Sequence, residues 1–370
     1  MTAVLPPVDV AGRVPRLRAR LEDAGCDALL LTRMVNIRYL TGFTGSAGLL
    51  LVGPDDLVLV TDGRYGEQAT EELAAAGVRA DVVVGRTLPE QRALVTARAG
   101  GLRRLGLEAE SVTWGQHRRF ASEWFPLSAL VATEGLVEDL RRVKDDGEIA
   151  RMAEAAAVAD EALRRVRPML AEGPTEREFA IALDHEMNSL GAERPSFDTI
   201  VAAGPNGAKP HARPGDRRIA PGELVVIDFG AMVDGYCSDM TRTVCVGQPA
   251  TPEAARMAEV VAESQRSGVA AVAGGVPAKV VDQACRAVIA EAGWADAFLH
   301  GTGHGVGLEI HEAPRVSQTS ADTLAPGHVV TVEPGVYLPE LGGVRIEDTV
   351  VVVPGGSLTL TQAPKELLVA

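Results

Sequence analysis

The spacing of apolar residues in the first part of the chain predicts alternating helices and strands. Val14, Leu17 and Leu21 recur at helical spacing, which predicts a helix over residues 13–25. Apolar segments predict a short buried strand at 28–32 and further strands at 48–52, 57–61, 81–85 and 104–108. The turn sequence Gly-Pro-Asp-Asp between the second and third runs predicts a β-hairpin. These elements predict an α/β N-terminal domain over residues 1–135, with no evident catalytic cluster.

A charged, alanine-rich stretch at residues 137–170 has the composition of a helix. The charge run Lys-Asp-Asp at 144–146 and Gly147 predict a break into two helices, whose polar faces we expect to be solvated. This break indicates a helical linker over residues 136–150, followed by a second domain over residues 151–370.

The second domain mixes helix-start signals with strands. A capping box, Thr-Glu-Arg-Glu, predicts a helix that starts at Thr175. Thr251 followed by Pro-Glu predicts another helix, and a third should end before Gly293. Apolar segments predict strands at 223–230, 236–246, 329–333 and 343–350. We therefore expect an α+β domain.

The dipeptide Asp-Gly at 234–235 predicts a tight β-hairpin with a defined register. Counting outward from this loop places Gly230 opposite Asp239. Alternation of side chains then puts Asp228 and Asp239 on one face as diagonal neighbours, with Cα atoms about 7–8 Å apart. A cation between the two carboxylates would relieve their repulsion, and Gly230 would leave it room. A solvent-exposed acidic sheet face is the alternative.

Acidic residues and a histidine loop recur further along the chain. Glu333 ends one predicted strand, and Glu347 lies two residues from Arg345, on the same face of the next. The glycine-rich loop HGTGHG carries His304. These positions predict a metal site formed by Asp228, Asp239, His304, Glu333 and Glu347. Four carboxylates and one imidazole carry more negative charge than one divalent ion balances, which predicts two ions with bridging carboxylates and metal-assisted hydrolysis.

Composition and charge limit the class of protein. The chain has 370 residues, 46% hydrophobic and 23% charged, as in a soluble globular protein of two domains. The formal net charge of -14 argues against a nucleic-acid or anionic-membrane partner. No secretory signal and no membrane-spanning apolar run is apparent. Four scattered cysteines without CxxC spacing suggest reduced core residues and a cytoplasmic location.

A set of motifs in the second half resembles the metallopeptidases of the pita-bread fold. These motifs are, in order, AGPNGAKPH, IDFG, SDMTRT, HGTGHGVGLEIHE, VEPGVY and GGVRIEDT. The family includes methionine aminopeptidase, aminopeptidase P and prolidase. In the first half, NIRYLTGFTGSAG and DGRY resemble the N-terminal domain of aminopeptidase P, prolidase and creatinase. The resemblance implies an α/β N-terminal domain followed by an α+β catalytic domain of pita-bread fold.

The resemblance also implies how the five ligands divide between two metal ions. Asp228 would bind one ion and His304 with Glu333 the other, while Asp239 and Glu347 would bridge both. No ligand is substituted, which weighs against creatinase and against non-enzymatic relatives. The oxygen-rich ligands suit Mn²⁺, with Co²⁺ or Zn²⁺ as alternatives.

Other residues take roles from the same resemblance. His211 and His311 would hold the scissile carbonyl oxygen and move protons, and His300 would line the pocket. Arg315 matches an arginine of some prolidases that binds the free carboxylate of the substrate, although a surface role is the alternative. Arg345 would contact substrate or orient a metal-binding carboxylate. Ordinary packing or capping roles are expected for His117, His185 and His328.

The expected reaction is hydrolysis of the peptide bond before proline in Xaa-Pro dipeptides. Glu333 would accept a proton from a water activated by the two ions and pass it to the prolyl nitrogen. The nearest alternative is aminopeptidase P, which acts on longer peptides. A metal-free binding or scaffold protein and a hydrolase of a small non-peptide C–N bond are further alternatives. The resemblance also implies a homodimer.

Overall fold

The computed structural model describes residues 5–369 and divides them into two compact units. One is formed by residues 7–141, and the other by residues 142–369 together with Leu5 and Pro6. The domain boundaries read from the sequence, at 135 and 150, stay a prediction. Among the residues described, no helix is both long and apolar enough to cross a membrane.

The N-terminal unit is built on one mixed sheet of six strands in the order β4-β3-β2-β1-β5-β6. The elements run α1 Arg13–Arg18, β1 Ala28–Leu31, α2 Met34–Thr41, β2 Gly48–Val52, β3 Leu57–Thr61, α3 Gly66–Ala75, β4 Asp81–Val84, α4 Leu88–Arg98, β5 Arg104–Glu108, α5 Trp114–Arg119 with a π-helical turn Phe120–Trp124, β6 Ala129–Thr133 and α6 Glu138–Arg141. The predicted strands and the β2–β3 hairpin are therefore confirmed. The apolar runs of β1 and β3 are buried, whereas β4 forms an edge of the sheet and leaves Val84 exposed.

The first predicted helix is shorter than its apolar spacing suggested. Helix α1 ends at Arg18. The chain continues in turns with hydrogen bonds between residues three positions apart, such as Leu21 N to Arg18 O at 3.1 Å. Helix α1 buries Leu17 and the turns bury Leu21, so the apolar spacing is satisfied although the regular helix ends early. Gly25 ends the turned segment with φ +71°, a conformation that glycine adopts without strain.

The C-terminal unit contains the remaining elements. They run α7 Asp146–Val166 with a 3-10 turn Arg167–Glu172, α8 Glu176–Ser189, β7 Arg194–Pro195, β8 Ile200–Ala203 with a 3-10 turn Gly204–Ala208, β9 Leu224–Phe229, β10 Ala231–Val233, β11 Tyr236–Cys237, β12 Met240–Val246, α9 Pro252–Ala271, α10 Ala278–Glu291 with a 3-10 turn Ala295–Ala297, β13 Gly303–Gly305, β14 Glu312–Val316, β15 Val329–Val332, β16 Gly335–Leu338, β17 Gly342–Arg345, β18 Asp348–Val353, β19 Gly356–Thr359 and β20 Leu368–Val369.

Two sheets of this unit each bury one face under a pair of helices. The sheet β20-β12-β9-β8 shares a core with α7 and α8, and the sheet β14-β13-β15-β18-β19 shares another with α9 and α10. The two sheets are joined near their strand ends, where Glu347 N donates to Thr241 O at 3.1 Å and Thr349 Oγ1 donates to Asp239 O at 2.8 Å. This junction brings acidic strand ends together from both sheets.

The charged stretch at 137–170 is broken by its charge run but not by Gly147. Asp145 caps α7, since its side chain accepts from Glu148 N and Glu148 returns a bond to Asp145 N. Gly147 lies inside the first turn of this helix, so the prediction that it breaks the helix was wrong. The solvated-face prediction was also incomplete, because Met152 and Ala159 are fully buried in α7.

The predicted hairpin at Asp234-Gly235 is confirmed with its register. Both residues have positive φ, +46° and +75°, as a two-residue hairpin turn requires. Val233 pairs with Tyr236 across the turn. The predicted helix starts at Thr175 and Thr251 are confirmed as well, because both hydroxyls accept hydrogen bonds from the first turn.

Candidate active site

Asp228 and Asp239 lie where the sequence register places them. Strand β9 pairs with β12 so that Asp228 faces Thr241, and the same count puts Gly230 opposite Asp239. One carboxylate oxygen from each of Asp228, Asp239 and Glu347 lies within 4.8 Å of the others. The diagonal arrangement predicted from the hairpin is therefore present, and a third acid joins it from another sheet.

Glycine is required at position 230 for a different reason from the one predicted. A Cβ added at this position would lie 1.9 Å from the backbone oxygen of Ser238. Glycine is required because two backbone segments approach closely, and not because it leaves room for a cation.

Glu347 reaches the aspartates because the predicted strand 343–350 is divided in two. Strand β17 ends at Arg345 and β18 starts at Asp348, so Glu347 lies between them. Its backbone N donates to Thr241 O, and its carboxylate Oε2 accepts from Thr241 Oγ1 at 2.6 Å. This contact turns a buried carboxylate towards the pair of aspartates.

His304 presents one ring nitrogen to the acidic cluster. Its Nδ1 lies 3.0 Å from Gly305 O, a carbonyl that can only accept, so Nδ1 carries the hydrogen. The lone pair of Nε2 is then directed to Asp239 Oδ2 at 3.6 Å and to Glu333 Oε1 at 3.4 Å. Burial lowers the pKa of His304 to about 3, so the imidazole is neutral and able to bind a metal ion.

The carboxylates of the cluster resist ionisation in the absence of a cation. Burial, followed by the charges of Glu347 and Asp228, raises the pKa of Asp239 well above its ordinary value. Burial, followed by Glu333 and Asp228, does the same for Glu347. Burial raises the pKa of Glu333 to about 8, although the positive charge of Arg345 opposes this shift. A bound cation would reverse all three shifts.

The donor set fits divalent metal ions. Oδ1 of Asp228 is buried without a hydrogen-bond partner, although its other oxygen, Oδ2, accepts from Arg345 Nη2 at 2.5 Å. An orphaned buried carboxylate oxygen costs free energy unless a cation or a donor satisfies it. Asp228 belongs to the group of three acids whose carboxylate oxygens lie within 4.8 Å of one another, beside the neutral His304. These residues could hold one or more hard or borderline cations.

Arg345 joins this cluster to a tyrosine and a second histidine. Besides Asp228, its guanidinium donates to Tyr337 Oη at 2.8 Å. Nδ1 of His300 lies 2.8 Å from Gly301 O and must be the donor, so its Nε2 accepts from Tyr337 Oη at 2.8 Å. Burial and the charge of Arg345 lower the pKa of His300 to about 4. The ring of His300 is therefore neutral, with both nitrogens in use.

One cavity of about 540 Å³ contains the whole cluster and all the remaining predicted site residues. His211, His311 and Arg315 line it from exposed positions, together with His300 and Arg345. The rings of His304 and His311 meet edge to face, with centroids 4.4 Å apart. Burial, and then the charge of Arg315, lowers the pKa of His311. A cavity of this size can enclose a small peptide.

The histidines expected to have ordinary roles lie away from this cavity. His117 stacks on Trp114 with centroids 5.7 Å apart. Nδ1 of His328 accepts from Ala325 N at 3.2 Å, and His185 lies exposed on α8. None of the three lines the cavity of the cluster.

Two hydroxyl groups that contact the acids were not predicted from the sequence, although their spacing from the predicted ligands could have indicated them. Thr241 lies two residues from Asp239, and Thr331 lies two residues from Glu333, so each shares a face with a predicted ligand. Thr331 Oγ1 donates to Glu333 Oε1 at 3.3 Å.

Two other missed residues have no signal in the local sequence. Tyr337 joins His300 to Arg345, and Asp282 on α10 accepts from Thr302 Oγ1 at 2.9 Å in the histidine loop. Only the folded chain brings these pairs together.

Comparison with known proteins gives matches over both units. Metallopeptidase family M24 matches residues 150–354, and the Creatinase/Prolidase N-terminal domain matches residues 13–143. The Xaa-Pro dipeptidase of Pyrococcus furiosus is 36% identical over 357 residues, which are 96% of this chain and 99% of that protein. The structure of an Xaa-Pro dipeptidase from Bacillus anthracis has a TM-score of 0.93 at 38% identity, covering 97% of this chain and 99% of its own. An X-Pro aminopeptidase from Thermotoga maritima has a TM-score of 0.86 at 33% identity, covering 95% and 100%.

Proposed function

Because the chain belongs to metallopeptidase family M24, we propose that it is an Xaa-Pro dipeptidase, which hydrolyses the peptide bond before proline. The predicted family, the pita-bread fold with its N-terminal domain and the metallopeptidase class are confirmed. One observation carries the proposal: a single cavity is lined by all five potential metal ligands, Asp228, Asp239, His304, Glu333 and Glu347. A metal-free scaffold has no need of such a set.

Two divalent ions would be held by these five residues. Asp228 would serve one ion, His304 and Glu333 the other, and Asp239 with Glu347 both. When bound, such ions supply Lewis acidity and make water a nucleophile near neutral pH. We propose Mn²⁺, because oxygen donors outnumber nitrogen donors four to one in this set, with Co²⁺ or Zn²⁺ as alternatives.

The side chains around the ligands would bind the peptide and move the proton. The attacking water forms a bond to the carbonyl carbon of the Xaa residue while its proton passes to Glu333. His211 and His311 donate hydrogen bonds to the carbonyl oxygen as negative charge develops on it. Glu333 then returns the proton to the prolyl nitrogen as the C–N bond breaks. Arg345 keeps Asp228 oriented through the contact between Nη2 and Oδ2.

Arg315 would restrict the length of the substrate. Within residues 5–369 its guanidinium makes no hydrogen bond or ion pair, and it lines the same cavity as His311. A guanidinium can bind both oxygens of a carboxylate, and a dipeptide carries its carboxylate one residue beyond the scissile bond. We propose that this contact favours dipeptides over longer Xaa-Pro peptides, and that His300 shapes the wall beside it.

The setting of the enzyme is part of the same proposal. We propose a cytoplasmic homodimer whose only substrate partners are proline-containing peptides. All four cysteines are buried and free of disulfides, which agrees with a reducing compartment. The net charge of -14 agrees with the absence of a nucleic-acid partner. The N-terminal domain, the linker and the catalytic domain are proposed at residues 1–135, 136–150 and 151–370.

The test compares an Xaa-Pro dipeptide with an Xaa-Pro-Yaa-Zaa tetrapeptide on enzyme stripped of metal and reloaded with Mn²⁺. We expect no turnover after stripping, recovery on reloading and a higher kcat/KM for the dipeptide. Faster cleavage of the tetrapeptide would support aminopeptidase P instead. Cleavage of neither peptide by metal-loaded enzyme would reject the proposed function.

A further inference from the structure

Glu176, the first residue of α8, is a carboxylate buried completely in the C-terminal unit. Its Oε1 accepts from Ala203 N at 2.9 Å and from Asn206 Nδ2 at 3.0 Å. Its Oε2 accepts from Gly215 N at 3.0 Å and from the same amide of Asn206 at 3.2 Å. None of these donors is a cation, so backbone and amide hydrogen bonds take the place of water around the carboxylate.

The residues held by Glu176 are the two ends of one loop. Strand β8 ends at Ala203, and the loop returns to Glu176 at Gly215. The end of the loop is also fixed by the backbone, because Glu176 N donates to Arg217 O and Arg177 N donates to Gly215 O, both at 3.0 Å. A single carboxylate therefore joins both ends of this loop to the start of α8.

The middle of the loop carries His211 to the cavity. Pro210, His211 and Arg213 line the cavity. Among residues 5–369, one side-chain hydrogen bond reaches this part of the loop from the site, Arg345 Nη1 to Pro210 O at 3.3 Å. Within residues 5–369 the imidazole of His211 makes no hydrogen bond. Its position is consequently set by the backbone of the loop. Glu176 holds this backbone near both ends, Arg345 holds it at Pro210, and the backbone of Gly207 lies against that of Gly343.

We propose that Glu176 is a positioning residue for His211, acting through the loop 203–215. The inference rests on the proposed function, in which His211 binds the carbonyl oxygen. Groups that stabilise developing charge must be held within a fraction of an ångström of their productive position. Glu176 supplies this restraint from outside the cavity, without contact to substrate or metal ligands.

The variant Glu176→Gln tests the restraint at constant size. Its amide keeps one accepting oxygen for one end of the loop, but its NH₂ group faces a donor at the other end. We expect kcat/KM for an Xaa-Pro dipeptide to fall about 10- to 100-fold, mainly in kcat. The affinity for Mn²⁺, measured by calorimetry on metal-free protein, should stay within about 3-fold, since no metal ligand lies on this loop.

Glu178→Gln is the matched control on the same helix turn. Glu178 accepts from Thr175 N at 2.8 Å in the capping box and makes no contact with the loop. This control removes a carboxylate of equal size from the same end of α8. Its kcat/KM should remain within about 3-fold of wild type, as expected for an exposed cap.

A double-mutant cycle with His211→Ala shows whether Glu176 acts through His211. In the His211→Ala background, Glu176→Gln should cost less than about 3-fold, because the group that it misplaces is absent. The proposal would be overturned if Glu176→Gln lowered kcat/KM as much in the His211→Ala background as in wild type. It would also be overturned if the Glu176→Gln enzyme had the kcat/KM of wild type. If Glu176→Gln fails to fold, the same cycle is run with Glu176→Asp, which keeps the charge and shortens the reach.

Amide hydrogen exchange on metal-free protein separates this inference from the proposed function. Exchange at residues 203–215 should be faster in Glu176→Gln than in wild type and unchanged in Glu178→Gln. Equal exchange in wild type and Glu176→Gln would overturn the anchoring by Glu176 even if the enzyme cleaves Xaa-Pro. Failure of wild type to cleave any Xaa-Pro peptide, with normal exchange differences, would instead reject the proposed function.

Discussion

Removing the metal ions should make the stability of the protein depend on pH through Glu333. In metal-free protein, burial raises the pKa of this carboxyl from 4.5 to about 8. The folded state therefore holds a proton that the unfolded state releases. The contribution to the free energy of unfolding is fully present below about pH 4.5 and is lost as the pH rises through about 8.

The magnitude follows from the size of the shift. Each unit of pKa difference corresponds to about 1.4 kcal/mol. Between about pH 6.5 and about pH 8.5, the unfolded carboxyl is fully ionised and the folded one loses its proton. The contribution of Glu333 to the free energy of unfolding should therefore fall by about 2 kcal/mol between these two pH values.

The assay is urea unfolding of chelator-treated protein at the two pH values, with Glu333→Gln as the control. The variant keeps the shape of the side chain and cannot ionise, so the titrations of residues that do not interact with Glu333 are subtracted by the comparison. Wild type should lose about 2 kcal/mol more than Glu333→Gln between the two pH values. Excess Mn²⁺ should stabilise wild type more at the higher pH, because binding requires the ionised carboxylate. Parallel pH profiles for metal-free wild type and Glu333→Gln would refute the reasoning.

Three other substitutions separate the roles assigned to the site. Asp239→Ala should lower kcat by more than about 100-fold while circular dichroism stays native, and a fully active variant would contradict the ligand assignment. Arg315→Lys should raise KM for an Xaa-Pro dipeptide about 10-fold and leave a tetrapeptide unaffected, since the bidentate carboxylate contact is lost; equal effects on both peptides would count against it. Asp282→Ala should weaken Mn²⁺ binding about 10-fold in calorimetry, because Thr302 N and Thr302 Oγ1, in the loop of His304, lose the oxygen that accepts from both, and unchanged affinity would exclude this role.

The five potential metal ligands could be predicted because each is marked by local alternation or by a glycine-rich loop. The Asp234-Gly235 turn fixes the hairpin register, so the proximity of Asp228 and Asp239 follows by counting. The capping box at Thr175 likewise marks a helix start that depends on four consecutive residues. Such features need only short-range geometry, which the chain carries within a few residues.

Other features of the site could not be read in this way because they depend on contacts between distant segments. The chain gives no local reason for a break between Arg345 and Asp348, yet this break is where Glu347 meets Thr241 in another sheet. The sequence predicted that Gly230 leaves room for a cation, whereas the structure requires glycine there because the backbone oxygen of Ser238 lies too close for a side chain.

By itself the sequence determined the residue types of the site, their strands and loops, and the pairing of the first two aspartates, since period-two alternation and turn chemistry act over a few residues. Only the tertiary structure decided which distant groups complete it. Tyr337 joins His300 to Arg345, and Glu176 holds the loop of His211. Buried polar groups must find partners wherever the packed chain supplies them, and that supply is fixed by the arrangement of whole sheets and helices.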